Sequence, residues 1–433
     1  MKRLFSALFI LLSSFSVRSQ IVANDSAFTG VQSNDMTFYS LSTGNKTTVS
    51  NTDWHLAVSV RPSQFPLNTL QGTTLRINEA FGVKVYQVPS YTADSFNVQL
   101  NTTGYNSWLQ MHDSDSLLDN GALNNWYNIA VYNYGWGTYV GPPSHDVVGN
   151  KVFLFELPGG VLKKFIVDQL DRDTAWVLHY ANPDNSDFQT VYISKAAYQG
   201  KNLVYLDMLS GEVHDKEPLS ADWDLQFTRY TASDIMAGKY LNTVGVLQNK
   251  NRTAAKRSDA DVLNNDYSAL NFSAKQAAIG WGWKHVANYQ NYLSGKNVNF
   301  QDTYYAVYDS LTYFVNTGSG LPYKLVFTGY DINTGIISFY KEQVGAVSAI
   351  PVTHPQLIQA VYPNPATNQL NVQLDEDSRS ILRIADLSGS VLFETTALGN
   401  FVSLETSALP NGLFTLTITQ NGTTSVSKFI INR

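Results

Sequence analysis

The side chains with the greatest potential for chemistry in this sequence are its seven histidines, because no cysteine is present. An imidazole can bind a metal ion or transfer a proton near neutral pH. Four histidines stand in strand, turn or linker contexts that predict packing or solvation: His55, His179, His214 and His354. The other three lie in loop-like or aromatic-rich segments, where binding residues are concentrated. The candidate ligands are therefore His112, His145 and His285.

Enzyme signatures are absent from the sequence. It contains no Gly-x-Ser-x-Gly, no His-Glu-x-x-His and no phosphate-binding loop. The acidic run from Asp113 to Asp119 begins with the spacing of a calcium loop but lacks its glycine and its terminal glutamate. We therefore predict a protein that is not an enzyme, with no catalytic residues.

The composition predicts an extracellular protein rich in β-structure. Only 15% of the 433 residues are charged, against about 25% in typical proteins. Aromatic residues are abundant, with 25 Tyr, 22 Phe and 8 Trp. The net charge is -6 and no Lys/Arg cluster is present, which argues against nucleic acid as a partner. The absence of cysteine excludes disulfides and thiolate metal sites.

The N-terminus has the pattern of a signal peptide. Lys2 and Arg3 precede the apolar run Leu4–Leu12, which is too short to span a bilayer as a helix. We predict a signal peptide over residues 1–19, with cleavage after Ser19. No other stretch is long enough to be a membrane span.

The body of the chain contains an internal repeat. The segment Lys164–Tyr180 aligns without a gap on Lys324–Tyr340, and both read as strand, polar turn and strand. Two earlier landmarks occur in the same order in each copy: Asp53-Trp-His-Leu56 with Asp222-Trp-Asp-Leu225, and Gly135-Trp-Gly137 with Gly280-Trp-Gly282. We predict two related antiparallel β-rich modules, over residues 20–183 and 184–345.

The second module resembles the HmuY family of surface haem-binding proteins. The resemblance rests on Leu209-Ser-Gly211, Asp222–Tyr230, Ile279–Lys284 and Tyr313–Asp331, and the first module shares only the landmarks. The resemblance implies an all-β fold and haem as a cofactor, captured by a pair of histidines. The family's ligand positions have no motif that can be placed here. His112, His145 and His285 are therefore the haem-binding candidates, with no other metal expected.

The C-terminus resembles a sorting domain. After a proline-containing linker over residues 346–359, residues 360–433 read as a small immunoglobulin-like β-sandwich. This segment resembles the type A C-terminal sorting domain of the type IX secretion system, through Tyr362-Pro-Asn-Pro365, Asp386-Leu-Ser-Gly389, Leu409-Pro-Asn-Gly412 and Lys428. The resemblance implies that the secretion machinery is a partner and that Lys428 belongs to the sorting signal. It also implies a secreted or outer-membrane cell-surface location.

Two functions remain open from the sequence. One is haem binding by a surface protein. The other is a surface interaction or glycan-binding protein, in which rings stack on the apolar faces of sugars. The aromatic residues that suggest the second function are Trp108, Trp126, Tyr127, Tyr132 and Tyr134, although core packing explains such residues equally well.

Overall fold

The computed structural model describes residues 22–63, 70–234, 239–258, 262, 264–286, 305–317, 322–344, 357–386, 389–420 and 423–433. The strands of these ranges pair in antiparallel ladders, which confirms the predicted all-β class. The predicted signal peptide lies outside the described residues, and so does most of the predicted linker. Within the described ranges, no helix is long and apolar enough to cross a membrane.

Fourteen strands lie in the described residues of the first half of the body. They are β1 (Val22–Phe28), β2 (Asp35–Tyr39), β3 (Lys46–Ser50), β4 (Leu56–Ser59), β5 (Leu75–Ile77), β6 (Lys84–Gln87), β7 (Gln110–Met111), β8 (Tyr127–Asn128), β9 (Asn133–Tyr134), β10 (Gly137–Tyr139), β11 (Val147–Gly149), β12 (Phe153–Leu157), β13 (Val161–Asp171) and β14 (Ala175–Ala181).

Sixteen more strands lie in the parts of the second half and the C-terminal segment that the structure describes. They are β15 (Gln189–Ser194), β16 (Leu203–Leu206), β17 (Val213–His214), β18 (Leu225–Asp234), β19 (Lys239–Gln248), β20 (Thr253–Ser258), β21 (Lys284–Val286), β22 (Tyr305–Val307), β23 (Leu311–Asn316), β24 (Tyr323–Asp331), β25 (Ile336–Gln343), β26 (Ile358–Tyr362), β27 (Gln369–Ala385), β28 (Val391–Glu405), β29 (Gly412–Gln420) and β30 (Thr423–Ile431).

The helical elements of the described ranges are short 3-10 turns. Their bounds are Val31–Ser33, Glu79–Phe81, Ala93–Ser95, Tyr105–Ser107, Ala122–Asn124, Ile129–Val131 and Lys195–Tyr198.

The two aligned segments form the same kind of hairpin. β13 pairs with β14, and β24 pairs with β25. The register shifts between Val167 and Gln169 in the first hairpin and between Phe327 and Gly329 in the second, which are corresponding positions of the repeat. A bulge placed alike in both copies supports their common origin, because a bulge bends a strand at one defined point.

The two halves exchange strands. β1 pairs with β25 of the second half, and β15 pairs with β14 of the first. In the same way β2 pairs with β18, and β16 pairs with β4. β1 and β15 therefore complete sheets that belong mainly to the other half, and the two four-stranded sheets take two strands from each half. The division at residue 183 stays a prediction, and the observed ladders cross it in both directions.

Two tryptophans of the repeat pack where the exchanged sheets meet. The predicted burial of Trp54 and Trp223 is confirmed, since they are 9% and 5% exposed. Trp54 packs edge-on against Tyr205, with 5.0 Å between ring centroids, and Trp223 packs in the same way on Phe38 at 4.9 Å. Each indole thus contacts an aromatic ring from the opposite half.

Two local expectations from the repeat are wrong. His55 is buried rather than solvated, because both faces of this part of the sheet are covered, and its Nδ1 accepts a hydrogen bond from the Met208 amide at 3.1 Å. The second Gly-Trp-Gly does not supply a packed indole, because Trp281 is 40% exposed. The neighbouring Trp283 takes that role, fully buried and stacked on Phe327 at 4.3 Å between centroids.

The C-terminal segment has its own core and a contact with the body. Strands β26 to β30 pair in one sheet around a cluster of apolar residues. A second small cluster joins Leu413 and Ile430 of this segment to Val326 and Tyr340 of the second half. The segment therefore docks on the β24–β25 hairpin through apolar side chains.

Replacing Trp223 by alanine should lower the free energy of unfolding by about 3–5 kcal/mol, because a large buried aromatic is lost at the junction of the halves. Urea denaturation followed by fluorescence and circular dichroism would measure it. The control is Trp281→Ala, which removes a half-exposed indole and should cost less than about 1 kcal/mol. Equal losses in the two variants would show that the junction does not depend on this indole.

Candidate functional site

The three candidate histidines occupy separate surroundings. The ring of His112 forms a hydrogen bond through Nδ1 with the carboxylate of Glu79 and stacks on Tyr240, with 3.6 Å between centroids. His145 lies in the turn between β10 and β11, where its ring contacts Tyr139. His285 lies on β21 beside Tyr308, with 4.4 Å between centroids. The three sets of contacts have no residue in common.

The acidic run from Asp113 to Asp119 serves other groups of the protein. The carboxylate of Asp113 accepts hydrogen bonds from the amides of Ile77 and Ala122. Asp119 forms an ion pair with Arg61 at 2.8 Å and a second with Lys250. Within the ranges that the structure describes, no three His, Asp or Glu side chains come together as a metal site would require.

A cleft of about 630 Å³ lies between the two halves of the body. One wall comes from residues 116–127 of the first half, and the other from residues 248–253, 274 and 276 of the second. We call it the amide cleft, because its walls carry Asn120, Asn124, Asn125, Gln248, Asn249, Asn251 and Gln276. Its volume lies within the range of about 300–1,000 Å³ that is typical of small-molecule sites.

Two carbonyl oxygens of residues that line this cleft have no hydrogen-bond partner within the described part of the chain. Oε1 of Gln248 and Oε1 of Gln276 are both buried and unpaired, in residues that are 2% and 7% exposed. The amide nitrogen of Gln248 is fixed by the carbonyls of Arg252 and Ser273, each at 3.0 Å, so its side chain is held in place. A buried acceptor without a donor costs about 1–3 kcal/mol, so both oxygens call for a donor from a bound molecule or water.

The charges at the cleft are paired within the protein. Asp119 is shared between Arg61 and Lys250, and Arg252 forms an ion pair with Asp224 at 2.7 Å. The cleft therefore offers a ligand neutral amide groups and no strong net electric charge. Leu70, Leu117 and Tyr127 add apolar surface to its walls. This combination can hold a neutral ligand that presents both hydroxyl groups and an apolar face.

A narrow cavity of about 90 Å³ adjoins the cleft and shares Leu118 and Gln276 with it. Burial raises the pKa of Asp113 to about 6 and that of Glu217 to about 7. Hydrogen bonds from the Leu203 amide and the Trp223 indole oppose that shift at Glu217. Both carboxyl groups are enclosed by protein donors, which is the arrangement of structural rather than reacting groups.

The aromatic residues that suggested glycan binding are dispersed. Tyr134 is fully buried in the first core, while Trp126 and Tyr132 are 48% and 52% exposed. Trp108 packs against Tyr105, at 6.5 Å between ring centroids. Only Tyr127 of this set lines the amide cleft. The sequence analysis missed Gln248 and Gln276, because no motif distinguishes these amides from the many others in the chain.

Lys428 lies on β30 and faces the body. Its Nζ is 3.3 Å from Oε1 of the buried Glu342, on the hairpin to which the C-terminal segment docks. Its proposed place in the sorting signal stays a prediction.

Residues 360–432 match the family model described as a secretion system C-terminal sorting domain. This segment is a type IX sorting domain. The protein is therefore secreted or displayed at the cell surface, and its sorting domain implies interaction with the secretion machinery. The family match covers only this segment, and the resemblance of the body to HmuY stays a prediction. No curated protein matches the chain.

Solved structures offer only remote similarity. One is PorZ of Porphyromonas gingivalis, described as an essential bacterial surface component of the type IX secretion system, at 12% identity and a TM-score of 0.17. That match covers 65% of this chain and 50% of that chain, so this chain spans about half of its length. Another is a biofilm-associated protein BSP domain, at 12% identity, a TM-score of 0.16 and coverage of 96% and 68%. These TM-scores are too low to establish a shared fold.

The raised pKa of Glu217 predicts a pH-dependent stability. Burial raises the pKa of this carboxyl from its ordinary value of 4.5 to about 7, so between these pH values the folded chain holds a proton that the unfolded chain releases. The resulting stabilisation is fully present below pH 4.5 and is lost as the pH rises through about 7. Relative to Glu217→Gln, the wild type should therefore lose stability between pH 5 and pH 8 in denaturant titrations. Glu405→Gln, at an exposed position, is the control, and parallel curves for wild type and Glu217→Gln would contradict the assignment.

Proposed function

We propose that this secreted or cell-surface protein acts by binding rather than catalysis, and that a saccharide occupies the amide cleft. The observation that carries this proposal is the pair of buried, unpaired carbonyl oxygens of Gln248 and Gln276 in the cleft. Sugar hydroxyl groups are hydrogen-bond donors of the kind that these acceptors lack. Discrimination is strong at sites of this kind, because a ligand without the hydroxyl leaves the buried acceptor unpaired.

The remaining lining supports a neutral polyhydroxylated ligand. Amide side chains both donate and accept hydrogen bonds, which matches a hydroxyl group that does the same. The ion pairs of Asp119 and Arg252 leave no strong net charge that would select an ionic ligand. Tyr127, Leu70 and Leu117 provide apolar surface for the face of a sugar ring.

A glycoside hydrolase is the second candidate, because two carboxyl groups with raised pKa values line the neighbouring cavity. The two-carboxylate mechanism needs both groups to flank the scissile bond. Glu217 is instead buried and faces the Leu203 amide and the Trp223 indole, and the partly buried Asp113 faces two backbone amides and Arg76. Binding alone is therefore favoured over hydrolysis.

Haem capture remains the alternative that the HmuY resemblance suggests. Two histidines on opposite faces of one slot are required for the paired ligation. His112, His145 and His285 have no common neighbour, and they do not line the amide cleft. The arrangement of these side chains therefore does not favour a haem site.

Export should remove both ends of the chain. Mass spectrometry of the culture fluid and the surface fraction should find a mature protein that starts near Gln20 and lacks about the last 75 residues, the length of a small domain. The reasons are the signal-peptide pattern and the sorting domain over residues 360–432. An intact C-terminus on the exported protein of a secretion-competent cell would contradict this expectation.

Saccharide binding should depend on Gln276. Calorimetric titration of the full body with a panel of neutral mono- and disaccharides should give binding, and Gln276→Leu should weaken it about tenfold or more, a loss typical of one buried hydrogen bond. No hydrogen bond of the Gln276 side chain is found within the described residues. The substitution should therefore remove no hydrogen bond that stabilises the described fold.

The matched control is Gln87→Leu. Oε1 of Gln87 is also buried and unpaired, but Gln87 does not line the cleft. It should therefore leave saccharide binding unchanged. The hydrolase alternative predicts release of reducing ends from the disaccharides, and the haem alternative predicts a Soret shift with haemin. Either result without saccharide binding, or equal effects of the two glutamine variants, would replace the present proposal.

A further inference from the structure

A further pocket, of about 570 Å³, shares no lining residue with the amide cleft. Its walls come from the turn after β1, from β18 and β19, and from β21, β22 and the end of β24. Gln32, Arg229, Asn242, Lys284, Tyr330 and Asn333 supply its polar lining. Among its described lining residues there is no Asp or Glu, although the whole chain has a net charge of -6. We call it the lysine pocket.

Lys284 is the buried cation of this pocket. The residue is 3% exposed, and its ammonium donates a hydrogen bond to the carbonyl of Val244. The ammonium also lies 4.8 Å from the ring of Trp283, 5.3 Å from that of Tyr305 and 5.6 Å from that of Tyr330. One carbonyl satisfies only one of its three donors, and the rings stabilise the charge without accepting a conventional hydrogen bond.

Three other buried lysines have an aspartate as partner, whereas Lys164 and Lys341 are buried with no ion pair in the described residues. Lys163, Lys195 and Lys216 form ion pairs with Asp187, Asp173 and Asp53. Lys284 has no ion pair within the part of the chain that the structure describes. Burial alone lowers its pKa, to about 7, with no carboxylate opposing the shift. An uncompensated buried cation costs free energy, so its retention at a pocket indicates a ligand that supplies the missing charge.

Two other polar residues of the pocket, Asn242 and Arg229, can donate hydrogen bonds to a ligand. The side-chain oxygen of Asn242 accepts a hydrogen bond from the Thr231 hydroxyl at 2.7 Å, which leaves its amide N–H groups for a ligand. The guanidinium of Arg229 lies over the ring of Phe81 at 4.9 Å and has no ion pair within the described ranges. Donors and unpaired cations that line one pocket select an acceptor with negative charge.

We propose that the lysine pocket binds the oxyanion group of a small organic ligand, with Lys284 as its charged anchor. Arg229 and Asn242 supply further donors at the wall. A carboxylate or a sulfate on the ligand would present the same chemistry, and the titrations below distinguish these two sources.

Such binding requires the protonated lysine. The charged and titratable groups that line the pocket around Lys284 are Arg229, Tyr305 and Tyr330, and His285 follows on the same strand. Burial raises the pKa of Tyr330, so its phenol stays protonated when Lys284 titrates. A bound anion favours the ammonium form of Lys284. When the pH lies above about 7, anion binding is therefore accompanied by uptake of a proton by Lys284.

The test is calorimetric titration of the body with sodium glucuronate, sodium sulfate and glucose at pH 6 and pH 8. Glucuronate or sulfate should bind at pH 6 and about tenfold more weakly at pH 8, where about a tenth of Lys284 is protonated in the free protein. Preference between the two salts identifies the oxyanion. Binding of glucose as strong as that of glucuronate, or no binding of either salt up to about 10 mM, would overturn the proposal.

Lys284→Met should abolish anion binding at both pH values. Lys341→Met is the matched control, because Lys341 is also 3% exposed, donates to the carbonyl of Leu41 and lies 4.9 Å from the ring of Tyr39, yet does not line the pocket. It should leave anion binding unchanged. If Lys284→Met fails to fold, the wild-type titrations decide, since equal affinity at pH 6 and pH 8 would exclude Lys284 as the anchor.

Discussion

The hydrogen bonds between exchanged edge strands are the constraint on which the body of this protein depends. The chain has no cysteine, so no disulfide can hold its two halves together. Instead β1 closes the edge of the sheet that ends in β25, and β15 closes the edge at β14. An unpaired edge would expose a row of backbone donors and acceptors. Each half therefore needs the N-terminal strands of the other, and the indoles of Trp54 and Trp223 seal the place where they meet.

This exchange also creates the two candidate sites. The amide cleft takes one wall from residues 116–127 and the other from residues around Gln248 and Gln276. The lysine pocket takes the turn at Gln32 from the first half and Lys284 from the second. Polar groups that would be solvated on an isolated half become enclosed when the halves join. Sites at the junction of two units are common for this reason, because the concavity arises from the packing itself.

The repeat made much of this fold predictable. Alternating apolar residues and turn residues identified both hairpins, and their corresponding bulges follow the alignment. The exposure of His55 could not be predicted, because the alternation within one strand cannot show that another strand covers its second face. Nor could the alignment show that Trp283 replaces Trp281 in the core. The amides of the cleft carry no pattern at all, since a glutamine becomes informative only when burial leaves its oxygen unpaired.

Burial of charge separates the structural groups of this chain from those that await a partner. Lys195 and Lys216 are buried but each faces an aspartate, so their charges are compensated within the fold. Asp113 and Glu217 are buried but surrounded by donors. Removing either kind of partner would leave a charge in a medium of low polarity, which proteins rarely tolerate. Within the described residues Lys284 has a carbonyl and aromatic rings around it and no ion pair, and it lines an open pocket. An oxyanion bound in that pocket would supply the compensation that an aspartate gives to Lys195 and to Lys216.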